Sequence, residues 1–196
     1  MTLENFDQLL QKYADVIIHK GIQVAADDYL LINADIEQAP LVRLLAETAY
    51  KAGAKKVKVT WADDALTRIG YENQSVETLT DIPQYTIDES NDWIAKRAKR
   101  ISLRSSNPNA LSGIDPSKIS AAQRAASEAL QEQRIATQAN VVSWLVVAGA
   151  GQEWAKLVFP ELSTTEEKVD ALPRIHVGPT EPENFRNGDL WLDTSE

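Results

Sequence analysis

"YLLINADIEQAPLVRLLAETAYKAGAKKVKVTW", Tyr29 to Trp61, changes its period twice, and those changes decide the fold class. Tyr29 to Asn33 is a short apolar run suited to a buried strand. Pro40 then stands where a helix opens, a position at which its missing N–H leaves no bond unmade. Leu41, Leu44, Leu45 and Ala49 share one helical face before Gly53 offers a stop. From Lys55 the period falls to two, with Val57, Val59 and Trp61 alternating against lysines and a threonine. Strand, helix and strand within about thirty residues make a βαβ unit. Its crossover should be right-handed and its two strands parallel. The predicted fold class is therefore α/β, a layered sandwich with a largely parallel sheet flanked by helices.

Working outward, Phe6, Leu9, Leu10, Tyr13 and Ile17 recur at helical spacing, and Gly21 reads as a left-handed stop. Ala65 to Ala98 reads as mostly helix, broken near Pro83, with "KRAKR" (Lys96–Arg100) as the solvated end of a helix, where cations suit the dipole. Ile101 to Ser105 offers another strand, followed by a loop rich in Asn, Pro and Gly. Asp115 reads as an N-cap with Pro116 at the first helical position, launching a helix to about Gln131. Val141 to Ala148 reads as a central strand, and Gly151 to Phe159 as a helix stopped by Pro160. Ser163 and Glu166 have capping-box spacing, and Pro173 interrupts the helix they would start.

From Pro173 the composition changes. Three prolines exclude regular helix, and "RNGDLWLD" sets an Asn-Gly pair before an alternating strand, a β-hairpin signal. The division expected is a domain over residues 1–172 and an unrelated Pro/Gly-rich tail over 173–196.

The composition narrows the function. With 196 residues, 43% of them apolar, the chain can bury one sizeable core. A net charge of −9 argues against binding nucleic acid, which needs a clustered basic face. No cysteine is present, so thiolate catalysis and cysteine-held metal are excluded. The start "MTLENFDQLL" lacks the basic and apolar regions of a signal peptide, and "VVSWLVVAGAG" (Val141–Gly151) is too short to cross a bilayer. The expectation is a cytoplasmic protein without membrane contact.

"AYKAGAKKVKVTWADD", "RSSNPNALSGID" and "RIATQANVVSWLVVAGAGQEWAKLVFP" carry a resemblance. Together they resemble the N-terminal half of the aminopeptidase S / aminopeptidase T metallopeptidases, from about Leu3 to Leu172. The resemblance implies a two-domain subunit that acts on peptides and pairs as a homodimer. In it the front α/β domain walls a substrate cavity and the rear domain holds two divalent metals. Separately, "PTEPENFRNGDLWLDT" resembles short segments of phage tail and baseplate proteins.

The residues present do not supply a metal pair. Two-metal hydrolysis needs a bridging carboxylate and further oxygen or imidazole ligands holding ions about 3.5–4 Å apart. The chain has two histidines, His19 at a helix end and His176 in the tail. Asp27 and Asp28 read as a turn, and Glu166 and Glu167 as helix-start residues. Asp63 and Asp64 follow a strand, at the carboxyl end where open α/β sheets bind ligands, though capping the next helix is the plainer role. Arg104, Ser105 and Ser106 could touch a peptide carboxylate or main chain from a substrate-cavity loop, against a loop held by its own hydrogen bonds. No catalytic or metal-binding residue and no cofactor are expected in this chain. "GAGQEW" (Gly149–Trp154) has the order of a dinucleotide fingerprint, but Trp154 occupies the third glycine position. Trp61, Trp93, Trp144 and Trp154 read as core or domain-packing residues. The function expected is thus the cavity-forming portion of a metal-dependent aminopeptidase, inactive alone. The rival is a non-enzymatic scaffold or adaptor, phage-related, that uses its α/β domain for assembly.

Overall fold

The computed structural model describes residues 6–105, 107–158, 175–178 and 190–193. Four strands form one parallel sheet: β1 (Tyr29–Asp35), β2 (Lys56–Ala62), β3 (Lys99–Arg104) and β4 (Trp144–Ala148), in the order β2-β1-β3-β4. The helices are α1 (Phe6–Val16), α2 (Ala39–Lys51), α3 (Asp64–Asn73), α4 (Val76–Thr80), α5 (Gln84–Ala95), α6 (Pro116–Ala129), α7 (Gln131–Gln138) and α8 (Gln152–Val158). The βαβ unit is β1-α2-β2, with Tyr29 paired to Lys56 and Ile32 to Val59. From β2 the chain crosses back over β1 to lay β3 on its other side. The strand order therefore reverses at β1/β3, the place where open α/β sheets leave a crevice at the carboxyl ends of their strands.

Alternation along the strands sorts the two faces. Leu30, Ile32 and Ala34 of β1 and Ile101 and Leu103 of β3 join Ala14, Ile17, Leu41, Val42, Leu45 and Ala49 in one core between the sheet and the α1–α2 pair. Leu30, Ile32, Leu45 and Ile101 are wholly excluded from water. Each such burial contributes about 1.5–3 kcal/mol against the chain entropy that folding opposes. On the opposite face, Trp93 of α5 meets the Tyr29 ring edge-on at 6.1 Å, with the Lys96 ammonium 5.6 Å from both rings. Of the tryptophans expected to pack, Trp93 is buried, Trp61 and Trp144 are 45% and 50% exposed, and the Trp154 side chain lies outside the described residues.

Three sequence expectations change in this domain. α1 does not stop at a left-handed Gly21. It widens into a π-turn over Ile17–Gly21, closed by Ile22 N–H to Ile17 O at 2.8 Å. Gly21 packs closely under Leu145, whose Cδ2 would lie 2.7 Å from an added Cβ and would have to turn away, and the left-handed residue is Gln23 with φ 53°. "KRAKR" is not all helix end, because the chain reverses at Arg97 (φ 52°) and Lys99 and Arg100 open β3. β4 is an edge strand rather than a central one, with Val146 54% exposed. An apolar run alone does not distinguish the two, because strand order is set by the crossovers.

In the tail, β5 (Ile175–Gly178) pairs with β6 (Leu190–Asp193) in parallel, and the residues before Asn187 that would form the first strand of the expected hairpin lie outside the described residues. The helix expected from Ser163 and its interruption at Pro173 lie outside the described residues.

Candidate functional site

The crevice predicted by the strand order is present. It measures about 310 Å³ and is walled by Asp35, Glu37, Asp63, Asp64, Arg68, Asn107 and Glu153, among others. Each wall is built from the segment just past the carboxyl end of a strand. Asp35 ends β1, Asp63 and Asp64 come after β2, Asn107 after β3, and Glu153 stands in α8 beyond β4.

The carboxylates tie these turns together. Asp35 Oδ2 accepts from Ser105 N–H at 3.1 Å and from Ser105 Oγ at 2.8 Å. Asp63 Oδ1 accepts from Ala65 N–H and Leu66 N–H at 2.9 and 3.1 Å, capping α3. Asp64 Oδ2 accepts from Asn107 N–H at 2.8 Å. Arg68 donates from Nη1 to Ala110 O and Ser112 O at 3.0 and 2.9 Å and pairs through Nε with Glu72, fixing the loop after β3 to α3. Behind the wall, the buried Gln38 donates to Ala150 O at 2.8 Å. Two glycines permit that closeness. A Cβ at Gly149 would lie 2.5 Å from Gln38 Oε1, and one at Gly151 would lie 2.5 Å from Ser105 O. Tyr13 reaches the end of β4 from α1, donating to Ala148 O at 3.0 Å, and burial pushes its phenol pKa up.

Residues 6–176 match the thermophilic metalloprotease (M29) family. The chain belongs to the M29 metallopeptidase family. It is 40% identical over 172 residues to aminopeptidase PepS of Streptococcus thermophilus, covering 88% of this chain and 42% of that protein. It is 37% identical to aminopeptidase AmpS of Bacillus subtilis, covering 84% and 40%. The solved structure of wild-type AmpT from Thermus thermophilus superposes with a TM-score of 0.78 at 32% identity, over 84% of this chain and 41% of that one. The chain thus spans about two fifths of the length of the relatives it matches.

A metallopeptidase family implies a metal, and the donor set tests whether this M29 chain holds it. Among the described residues, no three His, Asp or Glu side chains are grouped to coordinate an ion. In the crevice Asp35, Asp63 and Asp64 accept from protein donors, and Glu153 pairs with Lys156. His19 is exposed in the π-turn and is not among the residues that wall the crevice, and the His176 side chain lies outside the described residues. The described residues of the crevice do not fit a metal pair.

The structure brings Asp63, Asp64 and the stretch after Arg104 to the same end of the sheet. Arg104 is exposed and its carbonyl accepts from Gly149 N–H at 2.8 Å; Ser105 is buried with its hydroxyl on Asp35; Ser106 lies outside the described residues. Sequence reasoning missed Asp35, Glu37, Arg68 and Glu153, while Asn107 falls in the loop Arg104–Asn109 that it singled out. Asp35 had a usable signal, as the first charge after an apolar strand that opens a βαβ unit. Arg68 had none, because the groups it bonds across the crevice are 42 or more residues away in the chain. Among the described residues, no helix is long and apolar enough to cross a membrane.

Proposed function

We propose that this chain is the cavity-wall domain of a metal-dependent aminopeptidase, shaping the space in which a peptide is held while sequence outside it supplies the metal ligands. The observation that carries the reading is the carboxyl-end crevice, in which Asp35, Asp63 and Asp64 brace its own walls. Five carboxylates line it, from Asp35, Glu37, Asp63, Asp64 and Glu153, against one guanidinium from Arg68. That negative field suits the free ammonium group of a peptide N-terminus. The relatives are named as aminopeptidases, and the chain spans two fifths of them, which supports assigning it a part of that activity. Homodimer formation and a cytoplasmic location belong to the same proposal, as does a contact from Arg104, Ser105 and Ser106 to peptide main chain.

Two measurements test it. The purified chain is assayed on a leucine chromogenic substrate with zinc, cobalt or magnesium and with a chelated control, and no turnover is expected; chelator-sensitive turnover would overturn the division of labour. Leucine amide and N-acetyl-leucine amide are then titrated while amide shifts of Asp64 and Asn107 are followed. The free amine should move them and the acetylated one should not; equal responses would remove the ammonium reading.

A non-enzymatic, phage-related scaffold or adaptor that uses the α/β domain for assembly through residues 173–196 is a second proposal; of those residues, 177–196 fall outside the family match. Deleting 173–196 should cost a partner or oligomer with the α/β fold intact if it is right.

A further inference from the structure

On the face of the sheet away from the α1–α2 core lies a second cleft, of about 370 Å³, lined by Arg100, Ala126, Ser127, Leu130, Gln133, Arg134, Thr137 and Gln138. It sits where α6 breaks at Leu130 and α7 begins, over the start of β3. In a chain with 29 acidic and 20 basic residues, a cleft lined by two arginines and no carboxylate runs against composition. Among the described residues, neither arginine forms an ion pair.

Arg100 is only partly satisfied. With the Gln133 amide turned so that its oxygen faces the guanidinium, that oxygen accepts from Nη1 at 3.2 Å and from Nη2. Arg100 Nε is buried and has no partner among the described residues. Burial also holds the guanidinium pKa below its ordinary value. Nε is sealed from the cleft, but a guanidinium partly withdrawn from water and without an ion pair is favoured by an anion placed beside its outer face. A guanidinium fork is the side chain best shaped to hold a planar or tetrahedral oxyanion. Arg134 is exposed at the cleft mouth, and the Ser127 hydroxyl is on the same wall.

We infer that this cleft is a binding site for a small oxyanion, phosphate or polycarboxylate, held by Arg100 and Arg134 with Ser127 as a neutral donor. It is separate from the carboxyl-end crevice and does not rest on the aminopeptidase reading. The test is thermal denaturation and calorimetric titration of the full chain with inorganic phosphate and, separately, citrate, at an ionic strength held constant with sodium chloride. Saturable one-to-one binding of either anion is expected, with a rise in Tm. Arg134→Gln should weaken it by about tenfold, the loss of one charge-assisted contact. Arg100→Gln should abolish it. Arg134 is exposed, so its substitution leaves the fold intact and decides the matter even if Arg100→Gln does not fold. Absence of saturable binding, or binding unchanged in Arg134→Gln, would overturn the inference; a non-saturating rise in Tm is a general salt effect and counts as absence.

Discussion

Asp64 and Asn107 are joined across 43 positions of sequence: the carboxylate at the start of α3 accepts the backbone N–H of the loop after β3 at 2.8 Å. That bond holds two walls of the crevice at a fixed separation. Asp64→Ala leaves a part-buried N–H without its acceptor, which costs about 1–3 kcal/mol. Asp64→Asn keeps a carbonyl oxygen in place and should retain most of the stability. Urea denaturation of the two variants checks the order.

Gly151→Ala should destabilise more than Gly149→Ala. The added methyl at 151 meets the Ser105 carbonyl, part of the backbone, at 2.5 Å, whereas at 149 it meets the end of the Gln38 side chain, which can turn away. Overpacking of this kind costs about 1–3 kcal/mol. Gly149→Ala also breaks the Gln38–Ala150 bond, so its structural signature is local, visible as faster amide exchange around Ala150 with the sheet unchanged.

The Tyr13 phenol carries an alkaline pH dependence. Its folded pKa is raised by burial, so its contribution is whole below the unfolded value of about 10 and is lost as pH climbs through the folded value. Tyr13→Phe removes that alkaline slope and leaves Ala148 O without its donor, at a cost of about 0.5–1.5 kcal/mol near neutral pH. Denaturation midpoints of both proteins from pH 7 to 11 test this.

Asp115 acts at the other end of the scale. Its pKa is lowered by the backbone N–H of Ser117, then by the Ser117 hydroxyl and by the charge of Lys118. A depressed carboxyl contributes stability above its unfolded pKa of about 4 and loses it as pH falls through the folded value. Asp115→Asn keeps an oxygen for the cap of α6 and should flatten the acid limb of the stability profile. Asp115→Ala should lower stability at neutral pH as well, read by circular dichroism on heating.

The residues that wrote the fold into the sequence are those whose signal is local. Tyr29 to Trp61 carried the βαβ unit because its periods differ, and Asp63 and Asp115 cap the helices expected of them because a cap reads only the next three amides. β4 was misplaced in the sheet, since Trp144 to Ala148 has the composition of a central strand and its position depends on where α6 and α7 carry the chain. The site was half legible for the same reason. Asp63 and Asp64 stand at a strand end that the sequence marks, while the Asp35–Ser105 and Asp64–Asn107 bonds exist only after β3 has been laid beside β1.

That laying-down has a consequence for how the molecule is made. Tyr29 waits for Lys56, Leu30 waits also for Lys99, and Arg100 for Trp144, so no strand pair of this sheet is closed by a short turn. The central strand emerges from a ribosome first and acquires its second flank only after some seventy further residues have been added. The nascent polypeptide carries an apolar strand with one open edge through that interval, the kind of surface on which premature association between chains begins.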